Sequence, residues 1–210
     1  MSPRALKTIA AGTAVAASLT GLMLAPALKD QLKRQPTGAR GIVSLEGAYR
    51  LCKKTTLQGW ELVDFATRLV HDKFRIYSCR NLWDPPRLGF KYGMGYCTQY
   101  NLALAELLRR LGFAVQPVFA LKIESTSHPD WRMGHTWLRV TADSETRDVC
   151  AGNADNTAGA VDFRPLTSIY PGYPPVLLAS HLGLIWYAGV LEWRALLTGR
   201  PGPAWMWQRR

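Results

Sequence analysis

Hydrophobic residues recur at helical intervals in two parts of the chain. In residues 60–74 (WELVDFATRLVHDKF), apolar side chains return every three or four positions, which predicts an amphipathic helix. The same spacing returns after Cys97, in a segment whose charged residues all fall on the other face. Gly112 follows this second run where a glycine C-cap is expected, so we predict a helix that ends there.

The pattern changes to alternation after the second helix. Residues 113–123 (FAVQPVFALKI) predict a strand with one buried face, and Pro117 indicates an edge position or a bulge. Residues 134–150 (GHTWLRVTADSETRDVC) predict two strands joined by a polar turn over 142–145. A helix followed by three antiparallel strands indicates an α+β fold. Residues 78–93 contain two prolines and several glycines, and predict a long loop without regular structure.

The two ends of the chain differ from this middle part. We predict a signal peptide or membrane anchor over residues 1–28, because an uncharged run of about 20 residues follows Arg4 and Lys7. A core helix or a transit peptide are the alternatives. Residues 29–41 resemble a linker, and residues 42–170 form the predicted globular domain. Residues 171–210 predict an apolar helix, either covering the sheet or facing a membrane, and then a basic tail rich in tryptophan.

The net charge and the motifs of the chain limit the classes of partner that are expected. The 210-residue chain carries a formal charge of +11, which favours an anionic membrane surface or a cell-envelope polymer. It has no zinc-finger spacing, recognition-helix pattern or aromatic RNA motif, so no nucleic-acid partner is expected. The histidines and cysteines lack metal-ligand spacing, and we expect no metal and no cofactor. Cys52, Cys79, Cys97 and Cys150 contain no C-x-x-C pair, which leaves one disulfide or four free thiols open.

Cys97 is the candidate nucleophile. It lies at the predicted start of a helix, where the macrodipole and unpaired N–H groups stabilise a thiolate. A thiolate needs a base and the base needs an orienting acceptor, for which His135 and Asp148 are the candidates on neighbouring strands. The two share a face if the strands pair with an odd sum of residue numbers. A tight reversal sets them opposite, whereas a wider turn over 142–145 separates them by roughly 7 Å per two-residue step.

These motifs in this order resemble the transglutaminase-like cysteine-enzyme superfamily. GMGYCTQYNLALAELLRRLGF is similar to its nucleophile helix, GHTWLRV to its His-bearing strand, and RDVCAGN to its Asp-bearing strand. The resemblance covers roughly residues 60–155 and implies a papain-like fold, with a nucleophile helix packed on an antiparallel sheet. It implies Cys97 as nucleophile, His135 as general base and then acid, and Asp148 as the group that orients the imidazole.

The chain departs from the family pattern at two places. Where the family often has Asp-Pro-Thr, this chain has Asp148 followed by valine and cysteine, so Asn153 and Asp162 are alternatives for the third role. For the upstream oxyanion group the candidates are Tyr92, Trp83 or a backbone amide near Gly95.

The expected function is that of a thiol-dependent acyl enzyme acting on a peptide or protein substrate. It would be a cysteine protease or amidase, and so a hydrolase, or an acyltransferase of the transglutaminase type. A catalytically inactive transglutaminase-like domain that binds a partner at the membrane or cell envelope is one alternative. A basic membrane-surface adaptor with structural cysteines is another. The predicted location is membrane-associated or exported.

Overall fold

The computed structural model describes residues 18, 19, 21, 22 and 25, and then 34–39, 41–126, 133–172 and 174–209. Most of the predicted signal peptide or anchor and the first part of the linker therefore lie outside the described residues. The five described residues of the N-terminal segment are helical and exposed. One of them, Leu22, accepts a hydrogen bond through its carbonyl from Trp193 Nε1 at 2.9 Å, so this segment contacts the C-terminal helix.

Helices alternate with short strands along the described chain. Both helices that the hydrophobic spacing predicts are present, and the second begins at Cys97 itself. Ser44 caps the helix Leu45–Lys54 by accepting a hydrogen bond from the Gly47 N–H at 3.1 Å. The α-helices span Leu45–Lys54, Gly59–Lys73, Pro86–Tyr92, Cys97–Arg110 and Pro175–Thr198, and a 3₁₀ turn spans Ala204–Met206.

Residues 78–93, predicted as a loop, contain the short helix Pro86–Tyr92 instead. Pro86 occupies the first helical turn, where its missing N–H is not needed and its fixed φ suits the helix. Pro85 is the extended N-cap, and Gly93 ends the helix in the left-handed conformation at φ 67°. The prolines therefore start a helix here rather than prevent one.

The described residues form nine strands in three small sheets. The strands are β1 (Ile76–Ser78), β2 (Met94–Gly95), β3 (Ala114–Ala120), β4 (Ile123–Ser125), β5 (His135–Ala142), β6 (Glu145–Val149), β7 (Phe163–Pro165), β8 (Ile169–Pro171) and β9 (Trp207–Arg209). The largest sheet has the antiparallel order β6-β5-β3-β8, and the others have the orders β2-β1-β9 and β4-β7. Helices and largely antiparallel strands in this arrangement confirm the α+β class.

Strand β3 is buried differently from the predicted alternation. Val118, Phe119 and Ala120 are all buried, whereas Leu121 is 41% exposed. Both faces of this end of β3 are covered, so hydrophobic alternation does not apply there. Pro117 precedes the pairing of β3 with β8, which begins at Val118, and this agrees with the predicted edge-like position.

The turn between β5 and β6 sets the register of the site. Asp143 and Ser144 have φ of 50° and 63°, and they connect Ala142 directly to Glu145 across the hairpin. This is the wider of the two turns considered. It pairs Arg139 with Asp148, so Asp148 lies well along the hairpin from His135.

The Cys97 helix packs on the main sheet through β3 and β5 and on the helix Gly59–Lys73. Its inner face is apolar, with Ala103, Leu104, Leu107 and Leu108 fully buried. Asn101, also fully buried, donates from Nδ2 to the Thr136 carbonyl at 2.6 Å. The same side chain accepts from the Ala151 N–H at 3.0 Å. These bonds fix the start of the helix beside the start of β5.

Candidate thiol site

Cys97 is the first residue of its helix, and the turn before it is held by a buried amide. The Gln99 side chain accepts a hydrogen bond from the Tyr96 N–H at 3.2 Å, which completes a capping box. Its Nε2 donates to the carbonyls of Asn81 at 2.6 Å and Asp84 at 2.9 Å. The helix start is thereby tied to the loop that precedes Pro86–Tyr92.

Two opposing effects act on the Cys97 thiol. Burial raises its pKa, while hydrogen bonds from the Thr136 backbone and from Thr98 lower it. Burial is the larger effect, so the pKa of Cys97 lies above the ordinary thiol value. The expected acidification by the helix N-terminus is therefore outweighed. Because the thiol is protonated at neutral pH, nucleophilic attack by Cys97 requires a base.

His135 opens β5 and is buried. Its Nε2 lies 3.4 Å from the sulfur of Cys150, and its ring makes an edge contact with Phe163 at a centroid distance of 4.7 Å. Cys97 and His135 line the same cavity, which has a volume of about 380 Å³. The backbone of Thr136, the residue next to His135, lowers the pKa of the Cys97 thiol. The first two predicted site residues thus line one cavity.

The third predicted residue, Asp148, is not brought to His135. Its Oδ1 accepts a hydrogen bond from Arg139 Nε at 3.3 Å, on a part-exposed stretch of the hairpin. The odd sum of residue numbers does hold, so the two side chains share a face. The register, however, separates them by four residues, roughly 13–14 Å along the strands.

Cys150 occupies the position beside the imidazole that was expected for the aspartate. Its sulfur lies next to His135 Nε2 and accepts hydrogen bonds from Asn101 Nδ2 at 3.4 Å and from the Gly152 N–H at 3.3 Å. Cys150 was not predicted as a site residue, because the register of the hairpin was left open. A two-residue turn at Asp143 and Ser144 is the signal that identifies it, since that turn places residue 150 diagonally across from residue 135.

The two alternatives for the third role both lie in the cavity. Asn153 and Asp162 line it, and Asn153 Nδ2 donates to Asp162 Oδ2 at 3.1 Å. His71 lines the same cavity, and its Nδ1 lies 3.2 Å from the Ala151 carbonyl. A second imidazole and a carboxylate therefore surround the space in front of His135.

Two of the three candidate oxyanion groups, Tyr92 and Trp83, do not line the cavity of Cys97 and His135. The Tyr92 ring contacts the Arg34 guanidinium at 4.4 Å. Trp83 packs against an apolar cluster that Cys97 also contacts. Tyr77 does line the cavity, and burial holds the pKa of its hydroxyl well above the usual value, so the group remains a neutral donor. Tyr77 was missed because β1, only three residues long, gives no periodic signal.

A second cavity lies on the other side of Cys97, under the C-terminal helix. Its volume is about 530 Å³ and most of its walls are apolar. His181 lines it and hydrogen-bonds the Tyr96 hydroxyl through Nε2. Burial lowers the pKa of His181, so its imidazole is neutral at pH 7.

The cysteines are all reduced, and the described residues form no metal site. Cys52, Cys79, Cys97 and Cys150 are free thiols, so the alternative of one disulfide does not apply. Within the described part of the chain, no group of three or more His, Cys, Asp and Glu side chains is arranged to hold a metal ion.

Cysteine alkylation tests the partial exposure of Cys97 and the raised pKa of its thiol. Cys97 is the only one of the four that is not fully enclosed, so iodoacetamide should modify it first in the folded chain. Because burial raises its pKa, the reaction rate should rise with pH through a higher midpoint than in the chain unfolded in urea. Mass spectrometry of peptides against pH measures both. First modification of Cys52 or Cys79, or a midpoint at or below that of the unfolded chain, would contradict the geometry.

The site thus combines a thiol, an imidazole beside a second thiol, a buried phenol and two cavities that meet at Cys97. Such groups suit nucleophilic attack on a carbonyl followed by proton transfer. No protein-family model matches this chain, and no curated protein matches it.

Proposed function

We propose that this chain is a thiol-dependent acyl enzyme with Cys97 as nucleophile and His135 as general base. The supporting observation is that the two residues line one cavity of about 380 Å³. We further propose membership of the transglutaminase-like superfamily with a papain-like fold. The packing of the Cys97 helix on the antiparallel sheet through β3 and β5 supports that relationship.

The proposed reaction begins with a neutral thiol. His135 removes the proton from the Cys97 sulfur as the sulfur attacks an amide or ester carbonyl, and the carbonyl oxygen becomes an oxyanion. The tetrahedral intermediate collapses to a thioester. The leaving amine or alcohol takes the proton from the imidazolium. Water then releases the acid in a protease or amidase, while an amine accepts the acyl group in a transglutaminase-type transfer.

Two groups are proposed to stabilise the oxyanion. The first is the Cys97 backbone N–H, at a helix position where N–H groups have no intrahelical partner. The second is the Tyr77 hydroxyl, which is neutral, buried and in the wall of both cavities beside Cys97. A donor held in a site with little water stabilises a developing negative charge more than water does.

We propose Cys150 as the positioning residue for His135, in place of Asp148. Its sulfur is within hydrogen-bonding distance of His135 Nε2 and receives two N–H donors from the surrounding structure. These contacts hold the imidazole in one orientation. A neutral thiol nevertheless stabilises an imidazolium less than a carboxylate does.

The weaker stabilisation of an imidazolium by a neutral thiol also favours a second candidate function. This is a catalytically inactive domain that binds a partner at the membrane or cell envelope. A protonated Cys97 thiol and a second thiol beside the imidazole are both expected if the domain binds its partner without catalysing a reaction. The two proposals differ in a single outcome, which is whether an acyl group is transferred to Cys97.

Acyl transfer to Cys97 is tested with p-nitrophenyl acetate. The wild-type chain should release nitrophenol and gain one acetyl group, located on Cys97 by mass spectrometry. Cys97→Ala should abolish both, and His135→Gln should lower kcat by about 10²–10⁴ because the proton is no longer removed. Tyr77→Phe should lower kcat by about 10²–10³ if its hydroxyl stabilises the oxyanion.

The matched control is Cys52→Ala, which also removes a buried thiol but lies outside both cavities. It should retain full activity. Release of nitrophenol that persists in Cys97→Ala, or a wild-type chain that neither releases nitrophenol nor becomes acetylated, would exclude the enzyme and leave the binding domain.

Replacing Cys150 tests the positioning role. In Cys150→Asp the new carboxylate can accept from His135, Asn101 and Gly152, so kcat should rise by about tenfold or more while KM changes little. Cys150→Ala should lower kcat and alter the pH dependence of kcat/KM. Equal kcat and identical pH profiles in wild type and both variants would mean that Cys150 only packs. Circular dichroism confirms that each variant is folded.

We also propose that the protein associates with an anionic membrane surface, at the cell envelope or after export. The helix Pro175–Thr198 is long and apolar enough to cross a membrane by length and composition. One stripe of it packs on the domain, and Arg80 pairs with Glu192 at 2.7 Å. The opposite face exposes large apolar side chains, so we propose that the helix lies along the bilayer surface. The exposed set includes Leu178, Leu182, Trp186 and Val190.

Vesicle flotation tests this orientation. The double variant Leu178→Glu and Leu182→Glu should float at least tenfold less with phosphatidylglycerol vesicles, because two charges would enter the apolar layer. Leu121→Glu with Leu166→Glu makes the same charge change on exposed leucines outside the helix and should float nearly as well as wild type. Equal loss in both pairs would show that net charge alone drives binding. Point variants are used because truncation of the tail would also remove β9.

A further inference from the structure

The side chains that line the second cavity, under the C-terminal helix, determine which ligands it can hold. It lies between the start of the Cys97 helix, the end of β3 and the C-terminal helix, and its volume of about 530 Å³ is that of a small-molecule site. Cys97 forms part of its wall. The apolar side chains that line it are Phe119, Met133, Leu177, Leu184, Tyr187 and Trp205.

No Asp, Glu, Lys or Arg is among the described residues that line this cavity. Its most polar pair, Tyr96 and His181, is joined by a hydrogen bond, and the imidazole is neutral at pH 7. A charged ligand would lose its hydration there without gaining a charged partner. An uncharged apolar group is therefore the favoured occupant.

The position of His135 decides which half of a substrate enters which cavity. His135, Asn153 and Asp162 line the smaller cavity but not the apolar one. The leaving group must take its proton from the imidazole, so it has to lie on the His135 side of Cys97. The acyl group, bonded to the sulfur after attack, then extends away from His135 into the apolar cavity, which Cys97 also lines.

We propose that the acyl donor is an ester, thioester or amide of a linear aliphatic acid, with its chain in the apolar cavity. This substrate class rests on the proposed acyl enzyme. In the reaction, a carbon–sulfur bond forms at Cys97 and the bond from the acyl carbon to the leaving oxygen, sulfur or nitrogen breaks. The thiol proton passes through His135 to the leaving group. Water then cleaves the thioester to the free acid and restores the thiol, so no oxidant, reductant or other co-reactant is needed.

The C-terminal helix links this cavity to an apolar surface. Leu177 and Leu184 on its inner side line the cavity, while Leu178 and Leu182 on its outer side are about half exposed. A chain can therefore reach the cavity from a bilayer or from solution. Both sources present the same aliphatic chemistry, and the experiment separates them.

The test uses p-nitrophenyl esters of acetic, butyric, octanoic and dodecanoic acids, each below its critical micelle concentration. If the chain enters the cavity, kcat/KM should rise about three- to fourfold for each methylene until the cavity is filled. Leu184→Trp, which fills the cavity, should reduce activity on the octanoyl and dodecanoyl esters at least tenfold but spare the acetyl ester. Leu184→Ala should move the optimum to a longer chain. Leu166→Trp, an exposed leucine far from the cavity, is the control and should match wild type.

Binding is measured separately in Cys97→Ala with a dansyl-labelled undecanoic acid, whose fluorescence increases in an apolar site. Saturable binding that Leu184→Trp removes, together with no turnover of any ester by wild type, would overturn the proposed enzyme but keep the acyl-chain cavity. Turnover that is independent of chain length, with no saturable binding, would overturn the cavity proposal and keep the enzyme. Release of fatty acid from phosphatidylglycerol vesicles identifies the bilayer as the source, whereas turnover of soluble esters alone identifies free acyl esters.

Discussion

The attachment of the Cys97 helix to strand β5 through Asn101 is the interaction on which the site depends. One buried amide satisfies the Thr136 carbonyl and the Ala151 N–H, and it also contacts the Cys150 sulfur. It therefore fixes the helix, the strand that begins with His135 and the strand end that carries Cys150. The bond between the Thr98 and Thr136 hydroxyls, at 3.0 Å, adds a second connection beside it. Loss of a buried side chain with several partners leaves unpaired polar groups and costs about 1–3 kcal/mol for each.

Burial of the site has two opposite effects on the proposed reaction. Burial of Cys97 disfavours its thiolate, and the effects of Thr136 and Thr98 on its pKa only partly offset this. The same enclosure strengthens the interactions available to an oxyanion, because the dielectric is low. A site of this kind favours deprotonation at the moment of attack over a preformed thiolate. The groups that then matter most are the base, His135, and the neutral donors around the carbonyl oxygen.

The sequence predicted the parts of the fold that carry a period, and these include the helices Gly59–Lys73 and Cys97–Arg110 and the hairpin of β5 and β6. It did not predict the helix Pro86–Tyr92, since a proline starts a helix as readily as it prevents one. Within the site, Cys97 and His135 were found because each begins an element with a clear pattern. Cys150 and Tyr77 were not found. The first depends on the hairpin register and the second on a strand of three residues, and neither leaves a local signal.

Strand β9 closes the site from a distant part of the sequence. It pairs with β1, roughly 130 positions earlier, and this pairing sets Tyr77 opposite Gln208. Gln208 and Arg209 of β9 line the smaller cavity together with Tyr77. One wall of that cavity therefore exists only where these two distant segments meet. A chain cut before residue 207 would lack this wall even though Cys97, His135 and the elements that carry them were intact.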